Sequence, residues 1–159
     1  MYQQQLFGTA QEQTTSDDYY TPKWIFDALD IAFDIDVCSQ PGGPLHTPCR
    51  HYYTMYDDGL AQPWHGLVWM NPPYSNPRPW IDRWLEHGNG VALIPFSKSS
   101  WFVRLWERSD VALTYVHDPN AVGLRFVRHQ GGGTIMHPVC AAAIGSTSIT
   151  ALHKLGKVR

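Results

Sequence analysis

Two consecutive prolines directly follow a strand-like apolar run, and they limit the local fold more than any other feature of the chain. The run 67–70 (LVWM) has the apolar character of a buried strand. Pro72 and Pro73 cannot donate the backbone hydrogen bonds of a strand ladder, so the strand must end before them. The chain turns there with a stiff backbone and presents Asn71 and Tyr74. The pattern fits either a plain turn or a rigid binding site.

Strand-like and helix-like segments alternate along most of the sequence, which predicts an α/β fold with a mostly parallel sheet and helices on both faces. The predicted strands are 33–39, 67–70, 90–96 and 111–116, and the later helices are 78–88 and 99–109. Segments 124–129 (LRFVRH) and 139–145 (VCAAAIG) flank a glycine-rich stretch. They predict a C-terminal antiparallel hairpin or strand pair around a flexible loop.

The first helix is predicted from its start signal and its apolar period. Thr21 suits the N-cap and Pro22 suits the first helical position. Its predicted buried face is formed by Ile25, Ala28, Leu29 and Ala32. In the helix at 99–109, the residues predicted to share one side are Phe102, Val103 and Trp106.

Length and composition predict a single domain of a cytoplasmic protein. Residues 1–19 are polar and predict a flexible arm, residues 20–159 suffice for a single domain, and 40–65 reads as a loop. No apolar run reaches the length of a membrane span, and the start lacks the layout of a signal peptide. Three unpatterned cysteines suit a reducing compartment.

The charges are distributed unevenly although the net charge is only −2. Residues 1–70 hold two basic and nine acidic residues, whereas residues 71–159 hold ten basic and five acidic residues. Such halves can separate a cationic ligand from an anionic one.

The residues after the strand suit the binding of a planar amino group. The side-chain carbonyl of Asn71 and the backbone carbonyl of Pro72 can each accept one N–H bond. The ring of Tyr74 can stack on the ring that carries the amine, and Pro73 helps to fix these groups before the substrate arrives. Asp36 inside an apolar strand also needs a partner, because a buried carboxylate is costly without one. Capping of a neighbouring loop is the alternative role for Asp36.

On these residues the chain resembles the small phage-encoded DNA adenine-N6 methyltransferases, a Dam-like family, from about Tyr20 to about Gly145. Asn71-Pro72-Pro73-Tyr74 looks like the catalytic motif of that family. The resemblance implies a Rossmann-like methyltransferase fold and methyl transfer from S-adenosylmethionine to the 6-amino group of adenine. It implies double-stranded DNA as the partner, a bacterial host cytoplasm, and no metal and no membrane.

The resemblance also implies cofactor contacts, at Thr21, Pro22, Asp36, Cys38, Asp58 and Asn71. Asp36 matches the acidic position that attracts the ammonium of the cofactor. Asp58 matches the position near its adenine ring, although Asp57 could fill that position instead. Cys38 lies in VCSQPGG, a loose match to the glycine-rich turn of methyltransferases.

The chain has no room for a separate target-recognition domain, so a short or relaxed target site is expected. Candidate phosphate contacts are Arg78, Lys98, Arg125 and Arg128. For each of these, a solvated surface charge is the alternative.

Other readings of the sequence stay open. Cys38, His46, Cys49 and His51 lie close together, but their spacing matches no common zinc pattern. Cys49 follows a proline, as does the cysteine nucleophile of cytosine carbon-5 methyltransferases. The motif also occurs in enzymes that methylate RNA bases or a protein glutamine, and a non-catalytic nucleic-acid-binding protein could keep the fold. The oligomeric state is not predicted.

Overall fold

The computed structural model of the chain describes residues 19–128 and 133–159, in which nine strands and four helices occur. The strands are β1 (Tyr19–Tyr20), β2 (Phe33–Asp36), β3 (Cys49–Tyr52), β4 (Val68–Met70), β5 (Gly90–Pro95), β6 (Val111–Val116), β7 (Leu124–Arg128), β8 (Thr134–His137) and β9 (Val139–Ile144). The helices are α1 (Lys23–Leu29), α2 (Arg78–His87), α3 (Ser100–Glu107) and α4 (Ser146–Leu152).

The strands form two sheets, and the larger one confirms the predicted α/β class. It has six strands in the order β3-β2-β4-β5-β9-β6, and β9 runs in the direction opposite to the other five. The smaller sheet has the order β1-β7-β8 and is antiparallel throughout.

Helices cover both faces of the larger sheet, as predicted. Along β5, Val91 and Leu93 belong to the apolar cluster that includes residues of α1 and α4. Ala92 and Ile94 point to the other face and belong to the cluster that includes residues of α2 and α3. Both faces of β5 are thus buried, which explains its continuous apolar sequence.

The order of the strands reverses beside β2. The chain passes from β2 to β3 on one side of it and then returns to β4 on the other side. At such a reversal the connections leave the carboxyl ends of two neighbouring strands in opposite directions, and a crevice opens between them. The 71–74 turn follows the carboxyl end of β4, so this topology puts it beside the crevice.

The C-terminal pairing differs from the prediction in one respect. The segment 124–129 does enter a hairpin, but β7 pairs with β8 and not with residues 139–145. All six residues of β9 are buried, so this strand belongs inside a sheet and lies between β5 and β6. Part of the predicted flexible loop, residues 129–132, lies outside the described residues.

Two helical predictions need correction. The first helix begins after Pro22, which is its N-cap, and ends at Asp30 in the left-handed conformation (φ 52°), so Ala32 lies beyond it. The buried side of α3 is formed by Trp101 and Leu105, whereas Val103 and Trp106 are exposed. The predicted buried side of α3 is therefore wrong, and the observed buried side is rotated about the helix axis.

The predicted loop 40–65 contains the edge strand β3, which has no buried residue. Of the predicted arm, residues 1–18 lie outside the described residues, and Tyr19 pairs with Arg128 in the smaller sheet. In the described part of the chain, none of the helices combines the length and the apolar character needed to cross a lipid bilayer.

Candidate active site

A cavity of about 490 Å³ lies at the carboxyl ends of β2 and β4. This volume is in the range of small-molecule sites. Its walls come from the end of β2, the loop after β3, the 71–74 turn, the start of α2 and the smaller sheet. The larger sheet therefore supplies one side of the cavity, and the smaller sheet supplies another.

Asn71 has an oriented side-chain amide. Its Nδ2 donates a hydrogen bond to Oγ1 of the buried Thr21 (3.2 Å). Its Oδ1 is buried and has no hydrogen-bond partner among the described residues. A buried acceptor without a partner is costly and needs an explanation. Because Asn71 lines the cavity, a donor on a bound ligand can supply the missing bond.

The hydroxyl of Thr21 is thus used differently from the prediction. The side chain makes no capping hydrogen bond to α1, because the N-cap is Pro22 and has no side-chain donor or acceptor. Instead, the Thr21 oxygen accepts the amide of Asn71, 50 residues along the chain. The start of α1 therefore fixes the orientation of the turn after β4.

The two prolines keep the backbone of the turn fixed, and Pro72 is buried. The backbone hydrogen bond of this turn runs from the Asn76 amide to the carbonyl oxygen of Pro73 (3.2 Å). That bond does not engage the carbonyl of Pro72.

Tyr74 meets two rings of the smaller sheet nearly at right angles. Its ring centroid lies 6.1 Å from that of Phe126 at 89° and 5.7 Å from that of His137 at 78°. Its hydroxyl donates to the carbonyl oxygen of Leu93 (3.4 Å). Burial raises the pKa of the Tyr74 phenol well above its ordinary value, so the phenol is neutral and cannot act as a base at neutral pH.

Asp36 is buried at the end of β2, with 4% of its surface exposed. Its Oδ1 accepts the backbone N–H of Cys38 (3.2 Å), and the Thr47 side chain also hydrogen-bonds to it. Burial nevertheless raises the pKa of Asp36 to about 7, because these bonds only partly offset desolvation. Asp36 does not line the cavity, but it holds the backbone of Cys38, which does.

The residues after β2 face the cavity. Burial raises the pKa of the Cys38 thiol well above its ordinary value, and the carboxylate of Asp36 adds to this effect. Cys38 is therefore a neutral thiol at this wall. The next residue, Ser39, also lines the cavity, and its buried Oγ has no hydrogen-bond partner among the described residues.

The two candidate aspartates after β3 have different surroundings. Asp57 accepts hydrogen bonds from the backbone N–H (2.7 Å) and the hydroxyl (2.9 Å) of Thr54, and it does not line the cavity. Asp58 lines the cavity and adopts the left-handed conformation (φ 53°). Beside it, a Cβ on Gly59 would approach the Trp80 ring to 3.2 Å and meet the carbonyl oxygen of Val37.

Most of the predicted catalytic and cofactor positions meet at this cavity. Those that line it are Cys38, Asp58, Asn71, Pro72, Pro73 and Tyr74. Thr21, Pro22 and Asp36 do not line it, although Thr21 bonds to Asn71 and Asp36 bonds to the backbone of Cys38. The individual roles of these residues remain predictions.

The predicted phosphate contacts lie on different elements. Arg78 begins α2 and approaches Asp82 (Nε–Oδ2 3.8 Å), and Lys98 is exposed between β5 and α3. In β7, Arg125 approaches Asp118 (Nε–Oδ2 4.0 Å). Alternation along the strand puts Arg125 on the opposite side from Phe126 and puts Arg128 on the same side.

Four cavity residues of the smaller sheet were absent from the predicted site, namely Tyr19, Phe126, Ile135 and His137. Strand alternation could have indicated Phe126, since it shares a strand face with Leu124 and Arg125 lies between them. For His137 the sequence gives no comparable signal, because only the folding of β8 onto the 71–74 turn brings it to the site.

The cysteine and metal alternatives gain no support from the geometry. Cys49 does not line the cavity, and burial raises its pKa to about 11, so it is a thiol rather than a nucleophilic thiolate at neutral pH. Among the described residues, no three side chains of the types that bind metal ions form a group that could hold one.

The comparisons with known proteins agree with the resemblance seen in the sequence. A DNA N-6-adenine-methyltransferase of Haemophilus phage HP1 (strain HP1c1) is 34% identical over 77 residues, which are 45% of this chain and 43% of that protein. The match thus spans less than half the length of this relative. No solved structure matches the chain. The family model described as DNA N-6-adenine-methyltransferase (Dam) matches residues 8–121, most of the sequence. The chain therefore belongs to the Dam family of DNA N-6-adenine-methyltransferases.

Proposed function

We propose that this chain transfers a methyl group from S-adenosylmethionine to the 6-amino group of adenine in duplex DNA, in the bacterial cytoplasm. Membership of the Dam family supports this proposal. The observation that carries it is the buried Oδ1 of Asn71, which lines the cavity and has no hydrogen-bond partner among the described residues. An exocyclic amino group would supply the donor that this oxygen lacks.

A Rossmann-like methyltransferase topology belongs to the same proposal. The strand order reverses at β2 and β4, and the cavity lies at the carboxyl ends of these two strands. Doubly wound α/β proteins bind their ligands at this place. We propose that residues 20–159 form one such domain.

The residues of the turn would hold and orient the amine. Asn71 Oδ1 and the Pro72 carbonyl would each accept one N–H bond, which directs the nitrogen lone pair towards the methyl donor. The ring of Tyr74 would stack on the base and contribute about 1–3 kcal/mol. Because Thr21 and the two prolines fix these groups in advance, little ordering remains for the moment of reaction.

The cavity residues from the segments after β2 and β3 and from α2 would bind the cofactor. When bound, S-adenosylmethionine supplies a methyl group on a positively charged sulfur. The unpartnered Oγ of Ser39 and the carboxylate of Asp58 offer polar contacts there, and Trp80 offers an aromatic surface. Asp58 fits this role better than Asp57, since Asp57 is engaged by Thr54. Asp36 would act as a positioning residue through its bond to the Cys38 amide.

The test is transfer of labelled methyl from S-adenosylmethionine to duplex DNA, RNA or a protein lysate, followed by analysis of the nucleosides. We expect N6-methyladenine from DNA alone. Asn71→Ala should lower the transfer rate by at least about a hundredfold while cofactor binding is kept, since the lost contact acts on the reacting amine.

Asn76→Ala is the matched control, because this exposed asparagine belongs to the same segment but does not line the cavity. It should keep the wild-type rate. Label in RNA or protein would leave the amine-binding turn in place and change the substrate. If no acceptor takes up label, the proposed reaction is wrong.

A further inference from the structure

His137 brings a further unsatisfied polar atom to the cavity, from the smaller sheet. Its side chain lines the cavity, and its Nε2 is buried without a hydrogen-bond partner among the described residues. The residue ends β8 and is held in register opposite Leu124 of β7. It also lies beyond residues 8–121, which match the family model.

The imidazole belongs to a set of three rings that meet at steep angles. The ring of His137 lies at 78° to that of Tyr74 and at 68° to that of Phe126, with centroids 5.7 and 6.3 Å apart. His137 therefore contacts the residue proposed to stack on the base. A planar ring lying parallel to Tyr74 would be steeply inclined to the imidazole, which suits an in-plane contact at the edge of that ring.

The chemistry of adenine fits such a donor. The ring nitrogens nearest to the 6-amino group are N1 and N7, and both are hydrogen-bond acceptors. Enzymes that flip a base out of the duplex recognise it through such edge atoms as well as through stacking. We infer that His137 is a specificity-determining residue whose Nε2–H donates a hydrogen bond to one of these nitrogens of the target adenine. This inference rests on the proposed function and assigns a residue to the recognition of its substrate.

The experiment combines substitution of the residue with substitution of the base atom. A synthetic duplex that carries adenine in many sequence contexts is made with adenine, 1-deazaadenine or 7-deazaadenine, which removes the need to know the target sequence. Because 1-deazaadenine also loses a pairing bond to thymine, each variant is compared with the wild type on the same duplex. Methyl transfer to each duplex is then measured for the wild type, His137→Phe and His137→Gln. Phe keeps an aromatic ring but removes the donor, whereas Gln keeps a donor.

We expect the wild type to lose about tenfold in kcat/KM on one of the two deaza duplexes, the size of one lost hydrogen bond. His137→Phe should show a similar loss relative to the wild type on ordinary adenine and should equal the wild type on that same deaza duplex, since the bond is absent from both. His137→Gln should recover part of the activity on ordinary adenine. If His137→Phe does not fold, His137→Leu, which also lacks a donor, takes its place in the same comparison.

Two results would overturn the assignment. The wild type could methylate both deaza duplexes at the rate of ordinary adenine, or the losses from the residue and from the base atom could simply multiply. Either result would leave the proposed function standing. A wild type that fails to methylate ordinary adenine in DNA would overturn the proposed function as well.

Discussion

The side-chain amide of Asn71 has two ends with different tasks. The nitrogen end is held by Thr21 Oγ1, and this bond directs the oxygen end into a buried position beside the cavity. A free amide could turn over and present its NH₂ group, which would repel the N–H bonds of an amine. With its nitrogen end bonded to the threonine, the amide leaves its oxygen end for the substrate.

Replacement of Thr21 should therefore affect the rate more than the binding of the cofactor. Thr21→Val has nearly the same shape but no hydroxyl, and we expect it to lower kcat about five- to tenfold, equivalent to about 1 kcal/mol. Thr21→Ser keeps the acceptor and should stay near the wild-type rate. Steady-state methyl transfer and cofactor titration would measure the two effects. Equal rates for the Val and Ser variants would show that the bond does not orient the amide.

Asp36 makes the stability of the fold depend on pH. Its pKa is about 7 in the folded chain, compared with an ordinary value of 3.8. Between these values the unfolded chain releases a proton that the folded chain keeps, so the free energy of unfolding falls as the pH rises. The contribution is fully present below about pH 4 and is lost by about pH 7, a change of roughly 4 kcal/mol.

The measurement is urea unfolding between about pH 4 and pH 8 for the wild type and Asp36→Asn. The amide of the variant would have no charge to bury, and the other titrating groups are common to both proteins. The difference in free energy of unfolding should therefore shift in favour of the variant as the pH rises. Parallel curves for the two proteins would mean that Asp36 titrates normally in the folded chain.

At the scale of the elements, the sequence predicts a helix or strand where its local apolar pattern matches the face that is buried. The helix α2 agrees with its predicted range, because Ile81 and Trp84 are buried on one side of it and Gly88 ends it in the left-handed conformation (φ 73°). The strand β3 was missed because it has no buried residue, and its backbone pairing with β2 leaves no pattern in the side chains.

The same reasoning explains which part of the site could be predicted. The 71–74 turn was visible because prolines and an asparagine directly after a buried strand form a local signal. The contribution of the smaller sheet was not visible, because Phe126 and His137 reach Tyr74 through contacts over more than 50 residues of sequence. Long-range packing of this kind depends on topology, which no local period encodes.

At the scale of the whole molecule, the basic residues of the C-terminal half do not all lie at one end of the strands. Lys98 follows the carboxyl end of β5, and Arg78 follows the turn after β4. Both therefore lie towards the carboxyl ends of the parallel strands, where the cavity is. Arg108 precedes the amino end of β6, which runs parallel to these strands, so it lies towards the amino ends, away from the cavity. Its Nη2 pairs with Oδ2 of Asp110 (2.6 Å).

This arrangement predicts that equal changes in charge have unequal effects on DNA binding. Lys98→Gln and Arg78→Gln should each weaken binding severalfold and lower the slope of log affinity against log salt concentration by about 0.9, the value for one lost phosphate contact. Arg108→Gln removes the same charge at the amino ends of the strands and should leave the affinity and the salt slope unchanged. Fluorescence titration of a labelled duplex at several salt concentrations would measure them. If all three variants weakened binding equally, net charge rather than the cavity edge would govern the encounter with DNA, and the phosphate contacts would have to be sought elsewhere.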